Sequence, residues 1–390
     1  MSENHTYDYI IAGAGAAGLS LLWYLLNSKQ LNKKKILLAD RQMEWNSEKT
    51  WCFWDDSDIP DKTWIHKSWN RIKVSDGKKT FFSKNGTSYH CIESKTFRQK
   101  LLKKAKDAPN VTLIEADISE FEEFPDEVVM RTSAGEYRAS LAFQSVFQKF
   151  KVHRYGPQVL QHFRGLLIET KKPTFNDGEI TLMDFDALSG TDACTAFFYI
   201  LPYTETTALV EYTMFSDEIL PIAEYDRAVK RYLENQFRLQ KADYTITDTE
   251  QGVIPMDDAL LSGKLNSRTL SIGTYGGATK PTTGYTFTRI QKHMKMIVAA
   301  LEAGSAPQAY PQSKFRFRLY DHLLLRILKR HPKEGPQIFR QLFRKNDIQA
   351  VLHFLDERSS LAQEMKIFAS LPWLPFFKAL AETRFGWRVP

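Results

Sequence analysis

The chain has 390 residues, of which 43% are hydrophobic and 25% are charged, a composition that excludes disordered and fibrous proteins. This length exceeds that of one ordinary compact core, so we expect two lobes. No run of about 18 or more apolar residues occurs, so no transmembrane helix is expected. The polar first residues lead directly into a predicted strand and leave no room for a signal peptide, which predicts a cytoplasmic protein.

The charge and the cysteine content indicate the class of partner and the cellular compartment. The net charge of +7 arises between Lys314 and Lys345, where ten Lys or Arg residues accompany two acids. This excess of positive charge predicts an anionic partner near the C-terminal part of the chain. The three cysteines, Cys52, Cys91 and Cys194, are widely separated, which argues against a disulfide framework or a metal cluster and fits a reducing cytoplasm.

A glycine motif lies close to the N-terminus. Residues 9–18 read YIIAGAGAAG and apolar residues 19–26 follow, which predicts a buried strand, a tight turn and a helix that together bind a dinucleotide pyrophosphate. A second apolar strand, residues 35–39, ends at Asp40, about 20 residues beyond the motif. An acid that binds the ribose is expected there, and a solvated loop acid is the alternative. The predicted cofactor-binding residues of this part are Gly13, Ala14, Gly15, Ala17, Gly18, Asp40 and Arg41.

A tryptophan-rich segment follows the second strand. It contains Trp45, Trp51, Trp54, Trp64 and Trp69, with KTWCFW at residues 49–54 in its centre. This density of indole rings predicts either the lining of a site for a large apolar ligand or an aromatic core.

Alternating apolar patterns dominate the middle of the chain. Short runs that predict hairpins occur at residues 80–82, 111–114 and 128–132. Four further runs, at residues 166–169, 180–185, 196–201 and 207–213, predict an antiparallel sheet of the kind that forms a substrate domain. Helices are predicted at residues 96–106, 222–238, 286–303 and throughout the region beyond residue 315.

A second glycine-rich segment, residues 273–285, lies between a predicted strand and the helix that begins at residue 286. Two such segments predict a two-lobe FAD-binding flavoprotein of the Rossmann type, because FAD is long enough to need both, whereas NAD needs only the first. Thr274 stands where flavoproteins of this architecture carry an acid, so a hydroxyl or backbone N–H groups are expected to replace it. The predicted contacts are Gly273, Thr274, Gly284 and Tyr285.

These elements predict an α/β protein of five sequential parts. Residues 1–75 form the first part of the FAD-binding lobe, and residues 76–165 form a mixed segment that belongs partly to it. Residues 166–250 form the substrate domain with its antiparallel sheet, and residues 251–305 return to the FAD-binding lobe. Residues 306–390 form a helical C-terminal region suited to membrane contact.

Several motifs together resemble the flavin-containing lycopene cyclases of carotenoid biosynthesis, in particular the bacterial β-cyclase branch. Besides the first glycine motif, they are KTWCFW at 49–54, QHFRG at 161–165, LMDF at 182–185, LVEYT at 209–213 and GGATKPTTGY at 276–285. The likeness covers nearly the whole chain in the family's order. Two positions depart from it: Glu211 is followed by Tyr212 where plant members have a second glutamate, and Gln144 stands where an acid is expected.

The resemblance implies an isomerase of the intramolecular lyase class, which closes the linear ends of lycopene to β-ionone rings and so forms γ-carotene and β-carotene. It places Glu211 in an apolar cavity as the acid, because desolvation favours the protonated carboxyl. Asp184 is expected to raise the pKa of Glu211 or to act as the base, with a structural role as its alternative. Reduced FAD is implied as a cofactor that is not consumed, with NAD(P)H as its reductant. The expected substrate-lining residues are Trp51, Phe53, Trp54, His162 and Phe185, although His162 also suits a core position.

Lycopene is insoluble in water, so the lipid bilayer is the expected source of the substrate. Residues 339–345 and 371–378 combine apolar anchors with basic residues, which predicts a peripheral protein on the inner face of the cell membrane. A solvated basic face over the substrate tunnel is the alternative, and no nucleic-acid motif accompanies the charge. The competing functions are an FAD-dependent hydroxylase or reductase of a large apolar substrate and a non-catalytic carotenoid or flavin carrier.

Overall fold

The computed structural model describes residues 6–44, 49–55, 57–84, 87–146, 158–185, 194–258 and 267–383. Trp45 and residues 85–86 lie outside this part. The strands are β1 (Thr6–Ala12), β2 (Ile36–Asp40), β3 (Thr50–Phe53), β4 (Lys67–Trp69), β5 (Arg71–Ser75), β6 (Thr80–Phe82), β7 (Tyr89–Glu93), β8 (Val111–Glu115), β9 (Ile118–Glu123), β10 (Val128–Thr132), β11 (Gly135–Gln144), β12 (Gln158–Thr170), β13 (Glu179–Asp184), β14 (Thr195–Pro202), β15 (Thr207–Ser216), β16 (Tyr244–Asp257) and β17 (Thr269–Ser271). The helices are α1 (Ala16–Asn27), α2 (Ser94–Asp107), α3 (Ile222–Phe237), α4 (Phe287–Glu302), α5 (Phe315–Arg330), α6 (Gly335–Lys345), α7 (Ile348–Leu355), α8 (Leu361–Ser370) and α9 (Trp373–Thr383).

The first lobe is built on a sheet whose central strands are parallel. Strands β8, β2, β1, β11 and β17 run parallel in this order, and β10 and β9 extend β11 as an antiparallel meander. Both faces are covered, which explains the continuous apolar runs of β1 and β2. Ile11 and Leu38 pack under helices α1, α2 and α4, whereas Ile10 and Leu37 pack under the meander. Helix α1 therefore begins at the carboxyl edge of the sheet, directly after β1.

The second lobe is built on a sheet in the order β16, β12, β15, β14, β13, β5, β6. All neighbours in this sheet are antiparallel except β13 and β5. On one face Tyr212 of β15 packs against Tyr225 of α3, with 6.3 Å between ring centroids. The opposite face is covered by the C-terminal helices, so that Phe339, Leu342 and Phe343 of α6 belong to the core of this lobe. A small sheet of β3, β7 and β4 stands beside it.

The strand pairs differ from the predicted division of the chain at several points. Strand β5 belongs to the second sheet, although residues 1–75 were predicted for the FAD-binding lobe, and β6, from the predicted mixed segment, belongs to the second sheet as well. Strand β12 crosses the predicted boundary at residue 165, and β16 stays paired with β12 up to Asp257. Among the described residues, the return to the first lobe therefore begins with β17. Residues 111–114 form no hairpin, because β8 pairs in parallel with β2. An alternating pattern indicates a strand but does not specify its partner.

Candidate active site

Three glycines shape the turn between β1 and α1, each in a different way. Gly13 has a φ of +102°, and a Cβ there would lie 2.3 Å from Oγ of Ser145. A Cβ on Gly18 would lie 1.9 Å from the carbonyl oxygen of Gly13, so turn and helix pack without room for a side chain. A Cβ on Gly15 would meet no atom within 4 Å. The turn therefore has no room for a side chain at Gly13 and Gly18, whereas the space beside Gly15 is open, as a pyrophosphate site requires.

Asp40 lies beside this turn at the end of β2. Its Oδ2 accepts a 2.6 Å hydrogen bond from the N–H of Ala14, and its Oδ1 accepts one of 3.2 Å from the N–H of Gln42. The side chain is buried, so the alternative of a solvated loop acid is wrong. Arg41 is exposed next to it. The ribose contacts of Asp40 and Arg41 stay predictions.

Arg98 of α2 is a residue that the glycine motif does not reveal. Its buried guanidinium donates hydrogen bonds to the carbonyl oxygens of Ala14 and, at 2.9 Å, Met43. Burial lowers the pKa of Arg98, and the charge of Asp40 opposes that shift. A buried cation thus lies beside the turn between β1 and α1. The sequence gives no signal for it, because the same helix carries five lysines.

The second glycine segment lies against the first. Gly273 has a φ of +68°, and a Cβ there would lie 2.9 Å from Cβ of Ala17 at the start of α1. Gly284 has a φ of +71°, and its Cβ would lie 2.9 Å from Oε1 of Gln161 on β12. Thr274 lines the cavity that opens between the lobes' sheets. The segment therefore connects the turn between β1 and α1 to the second sheet.

A cavity of about 460 Å³ extends from the two glycine segments to the C-terminal helices. Its lining is largely aromatic and aliphatic: Leu182, Phe197, Leu209, Phe215 and Ile254 from strands, and Phe317, Phe339, Leu342, Phe343, Phe354 and Phe368 from helices. Trp51 and Trp54 line it at the places where the sequence predicts them. Such a lining suits a large apolar ligand.

Phe53 and Phe185 do not line the cavity, and their predicted placement is corrected. Phe53 is buried in the core of the first lobe, where its ring centroid lies 5.9 Å from that of Phe287. Phe185 is buried behind the lining, 6.0 Å from the ring of Phe197. Both residues support cavity walls from behind.

Strand register also corrects the placement of His162. Its neighbours Gln161 and Phe163 line the cavity, so His162 points to the other face of β12. There its ring nitrogens lie 2.5 Å from the hydroxyl of Tyr225 on α3 and 2.7 Å from Oγ of Ser216. Burial lowers its pKa. His162 is a fully hydrogen-bonded core residue, which is the alternative that the sequence left open.

Asp184 lies on the same side of the sheet as His162. Its Oδ2 accepts a 2.7 Å hydrogen bond from the hydroxyl of Tyr232 on α3. Phe198, its partner on β14, stacks on the same tyrosine with 3.9 Å between centroids. Asp184 is not among the residues that line the cavity, so the structure does not bring it together with Glu211.

Glu211 lies inside the cavity, as predicted. It projects from β15 with Leu209 and Thr213 on the cavity face and is almost completely buried. Burial, and secondarily the charge of Glu250, raises the pKa of Glu211 to about 8, while the hydrogen bond from Thr213 acts in the opposite direction. That bond runs from Oγ1 of Thr213 to Oε1 of Glu211 at 2.5 Å. A carboxyl group in this setting carries its proton at neutral pH and can serve as a general acid.

Glu250 is a second carboxylate in the cavity, and the sequence analysis missed it. It is buried, and its two oxygens accept hydrogen bonds from the N–H (2.9 Å) and the hydroxyl (2.8 Å) of Thr50. Its surroundings in the sequence, TDTEQ, are polar and resemble an exposed edge strand. Only its pairing opposite Gly165 of β12, itself opposite Glu211, indicates the site.

Three phenols connect the second glycine segment to this part of the cavity. The hydroxyl of Tyr285 lies 2.6 Å from that of Tyr89, which lies 2.9 Å from that of Tyr199. Tyr199 pairs with Glu211 across β14 and β15. Burial raises the pKa of each of the three phenols, so they stay protonated and act as a hydrogen-bonded wall.

A buried ion cluster completes the lining. Nζ of Lys280 lies 2.6 Å from Oδ2 of Asp321 and 2.8 Å from Oε1 of Glu357, and the hydroxyl of Thr282 donates to Oδ1 of Asp321 at 2.8 Å. The cluster ties the second glycine segment to α5 and to the residues after α7. It holds the C-terminal helices over the cavity.

The parallel sheet with two glycine segments, the antiparallel sheet and the helical C-terminal region define a two-lobe flavoprotein fold of the FAD-binding Rossmann type. Similar solved structures include a geranylgeranyl bacteriochlorophyll reductase-like protein from Thermoplasma acidophilum, with 12% identity over 97% of this chain and 98% of that chain and a TM-score of 0.62. A flavoprotein/dehydrogenase from Cytophaga hutchinsonii has 11% identity, the same coverages and a TM-score of 0.59. The p-nitrophenol 4-monooxygenase of Pseudomonas putida has 11% identity, the same coverages and a TM-score of 0.57. At these identities the likeness concerns the fold.

The family is shown by the sequence itself. The family model described as lycopene cyclase protein matches residues 8–381, which is nearly the whole chain. The chain belongs to the lycopene cyclase family, and the resemblance carried by its motifs is confirmed. Among curated protein sequences, none matches significantly.

Proposed function

We propose that the protein is a lycopene β-cyclase, which closes the linear ends of lycopene to β-ionone rings by acid catalysis without net oxidation. The observation that carries this proposal is the buried Glu211, whose raised pKa keeps a proton available in an apolar cavity that extends to the two glycine segments. Protonation of an alkene requires such an acid, and the resulting cation requires a dry site. Membership of the lycopene cyclase family supports the substrate.

In this proposal Glu211 gives its proton to the terminal double bond, and the ring closes when the next double bond attacks the cation. Thr213 binds Oε1 of Glu211, which leaves Oε2 to present the proton to the cavity. The rings of Phe197 and Phe215 in the lining exclude water from the cation. Each aromatic face close to a cation stabilises it by ~0.5 to 2 kcal/mol.

Reduced FAD is the proposed cofactor, and the residues of both glycine segments fit it. The space in front of Gly15 accepts a pyrophosphate, and Thr274 lines the cavity where the flavin end would lie. At the same sheet edge, the buried Oε1 of Gln144 has no hydrogen-bond partner among the described residues. The chemistry that reduced FAD supplies when bound is stabilisation of positive charge without net electron transfer, and NAD(P)H is the proposed reductant.

Replacing Gly15 by alanine is expected to weaken FAD binding at least about tenfold, a loss of ~1.4 kcal/mol. The added Cβ projects into open space, so the melting temperature of the FAD-free protein should not change. Gly18→Ala is the matched variant: its Cβ would lie 1.9 Å from the carbonyl oxygen of Gly13, so it should lower the melting temperature. Flavin fluorescence titration and thermal unfolding measure both effects. Equal FAD affinity of Gly15→Ala and the wild type would contradict the assigned pyrophosphate position.

A peripheral position on the inner face of the cell membrane is part of the proposal. In the described part of the chain, none of the helices has the length and apolar content needed to cross a bilayer. Helix α9 instead exposes an apolar face: Trp373 (66%), Leu374 (52%), Phe377 (60%) and Leu380 (43%). Phe376 of the same helix lines the cavity, so the exposed face continues into the substrate site. Lys378 is exposed on this helix, in reach of lipid headgroups.

The predicted basic segment between Lys314 and Lys345 contributes less charge than its composition indicates. At least four of its ten basic residues pair with acids elsewhere: Arg316 with Glu364, Arg326 and Arg330 with Glu382, and Lys329 with Asp217. The basic side chains of this segment that have no acidic partner among the described residues still favour anionic lipid. Helix α9 is the proposed anchor.

Replacing Trp373 and Phe377 together by serine is expected to reduce vesicle binding roughly a hundredfold, because about 3 kcal/mol of apolar burial is lost. Phe124→Ser, at an exposed phenylalanine in the meander of the first lobe, is the matched control and should bind like the wild type. Sedimentation with vesicles measures binding, which should rise with anionic lipid and fall with salt. If the double variant binds like the wild type, α9 is not the anchor.

The proposed reaction is tested by incubating the reduced protein with lycopene in liposomes and separating the pigments. We expect γ-carotene and β-carotene, with no NAD(P)H consumed in proportion to product, because substrate and product are isomers. One NAD(P)H oxidised per product would identify a hydroxylase or reductase instead. Pigment that is bound but stays linear would identify a carrier.

A further inference from the structure

We propose that Glu250 is the catalytic base that removes a proton from the cyclised cation and so completes the β-ionone ring. This inference rests on the proposed lycopene β-cyclase reaction and assigns a second catalytic residue to the same site. The motifs of the chain do not indicate Glu250, which emerges from the pairing of β12 with β15 and β16.

Glu211 and Glu250 belong to one row of residues across three strands. Gly165 of β12 pairs with Glu211 of β15 on one side and with Glu250 of β16 on the other. Residues in one row of an antiparallel sheet project from the same face, and both glutamates line the cavity. The two carboxyl groups therefore stand on either side of a glycine on the cavity floor.

The spacing of this row suits a ring held between an acid and a base. Strands lie about 4.8 Å apart, so the Cα atoms of Glu211 and Glu250 are about 10 Å apart. Gly165 has no side chain, and a Cβ there would lie 2.8 Å from Cδ1 of Leu209, so the apolar side chain of Leu209 covers the floor between the two carboxyl groups. A six-membered ring on this floor has one edge toward Glu211 and the other toward Glu250.

Thr50 holds Glu250 as an acceptor. Its N–H and its hydroxyl each donate a hydrogen bond to a different oxygen of Glu250, at 2.9 and 2.8 Å. Such bonds stabilise the ionised carboxylate. The charge of Glu250 in turn raises the pKa of Glu211. The environments thus separate the two carboxyl groups into a proton donor and a proton acceptor.

The proton balance of the reaction requires this second group. Glu211 transfers a proton to the terminal double bond and becomes a carboxylate, and the next double bond supplies the electron pair for the new ring bond. Glu250 then takes a proton from the ring carbon that bears the polyene chain, and the electron pair of this C–H bond forms the ring double bond. Return of that proton to Glu211 restores the enzyme. Substrate and product remain isomers, so no oxidant or reductant enters.

Asp321 is the other acid among the described residues that line the cavity. Its oxygens are bound by Nζ of Lys280 at 2.6 Å and by the hydroxyl of Thr282 at 2.8 Å. It lies on α5, away from the row of Glu211 and Gly165. Glu250 is therefore the acceptor that the geometry provides.

The test compares Glu250→Gln with the wild type, with lycopene in vesicles and the reduced, FAD-loaded protein. We expect β-ring formation to fall about a hundredfold. The cation still forms, so the residual products should carry rings whose double bond lies elsewhere, from proton loss at a ring methylene or a methyl group, or a ring hydroxyl from water. Asp248→Asn, exposed on the same strand, is the matched control and should form β-rings at the wild-type rate.

Repeating the assay in heavy water covers the case in which Glu250→Gln forms no product. Lycopene recovered from this variant should then contain deuterium at its end groups, because the cation that reverts to lycopene can lose the hydrogen of the CHD carbon in place of the deuteron received from Glu211. Glu211→Gln should leave lycopene unlabelled. β-Rings within about threefold of the wild-type rate, or loss of product with unlabelled lycopene, would overturn the role of Glu250. Failure of the wild type itself to form rings would instead overturn the proposed function.

Discussion

Replacing Glu211 by glutamine is expected to abolish ring formation while the fold and FAD content stay intact. Glutamine keeps the size and hydrogen-bonding capacity of the side chain, but it has no proton that it can give to an alkene. General acid catalysis contributes about 10² to 10⁴ in rate, so we expect at least a hundredfold loss of product formation from lycopene in vesicles. Glu205→Gln, exposed in the turn between β14 and β15, is the matched control and should keep full activity.

The pH dependence of the wild-type rate is a second test of Glu211 as the general acid. Burial and the charge of Glu250 raise the pKa of Glu211 to about 8. The acid works in its protonated form, so the rate should fall about tenfold per pH unit above this pKa. A Glu211→Gln activity within about tenfold of the wild type, ~1.4 kcal/mol in barrier, would show that another group supplies the proton. A rate that stays constant well above pH 8 would lead to the same conclusion.

The sequence predicts the elements of this fold well and the strand partners less well. Residues 128–132 form β10 with the predicted bounds, and the helix predicted at 96–106 forms α2. The pairing of β5 with β13 has no local signal, because it joins segments far apart in the chain. Stability of such a pair comes from packing across the assembled sheet, which a local pattern does not contain.

The candidate site likewise contains residues that the local sequence predicts and residues that only strand pairing reveals. The glycine turns and Glu211 are predictable from the sequence. A close backbone approach requires glycine, and a buried acid is flanked by apolar strand residues, so both produce a local sequence pattern. His162 differs from Phe163 by one position, and only the established register decides that His162 faces α3 while Phe163 faces the cavity. Glu250 reaches the site through pairing with Gly165, which is distant in sequence.

The second large effect is expected from Lys280→Met, and it concerns stability rather than chemistry. Nζ of Lys280 lies between Asp321 and Glu357 in a buried cluster. Methionine keeps the length of the side chain but leaves the two carboxylates without the cation between them. Removing one partner of a buried ion pair lowers the free energy of unfolding by about 3 to 5 kcal/mol. We therefore expect a fall in melting temperature of roughly 5 to 10 °C.

Lys295→Met is the matched control for this variant. Lys295 pairs with Asp58 at 3.0 Å on the surface, where such a pair contributes less than about 1 kcal/mol.

Burial raises the pKa of Asp321 and the charge of Lys280 lowers it, so removal of Lys280 raises the pKa of Asp321 further. A carboxyl group whose pKa is raised in the folded state loses stability as the pH rises, so the deficit of Lys280→Met should shrink toward acidic pH. Adding Asp321→Asn should recover part of the loss, because it removes the carboxylate that Lys280 neutralises. A Lys280→Met protein that unfolds within about 1 kcal/mol of the wild type at every pH would show that the hydrogen bonds of Thr282 and Arg289 satisfy the carboxylates without Lys280.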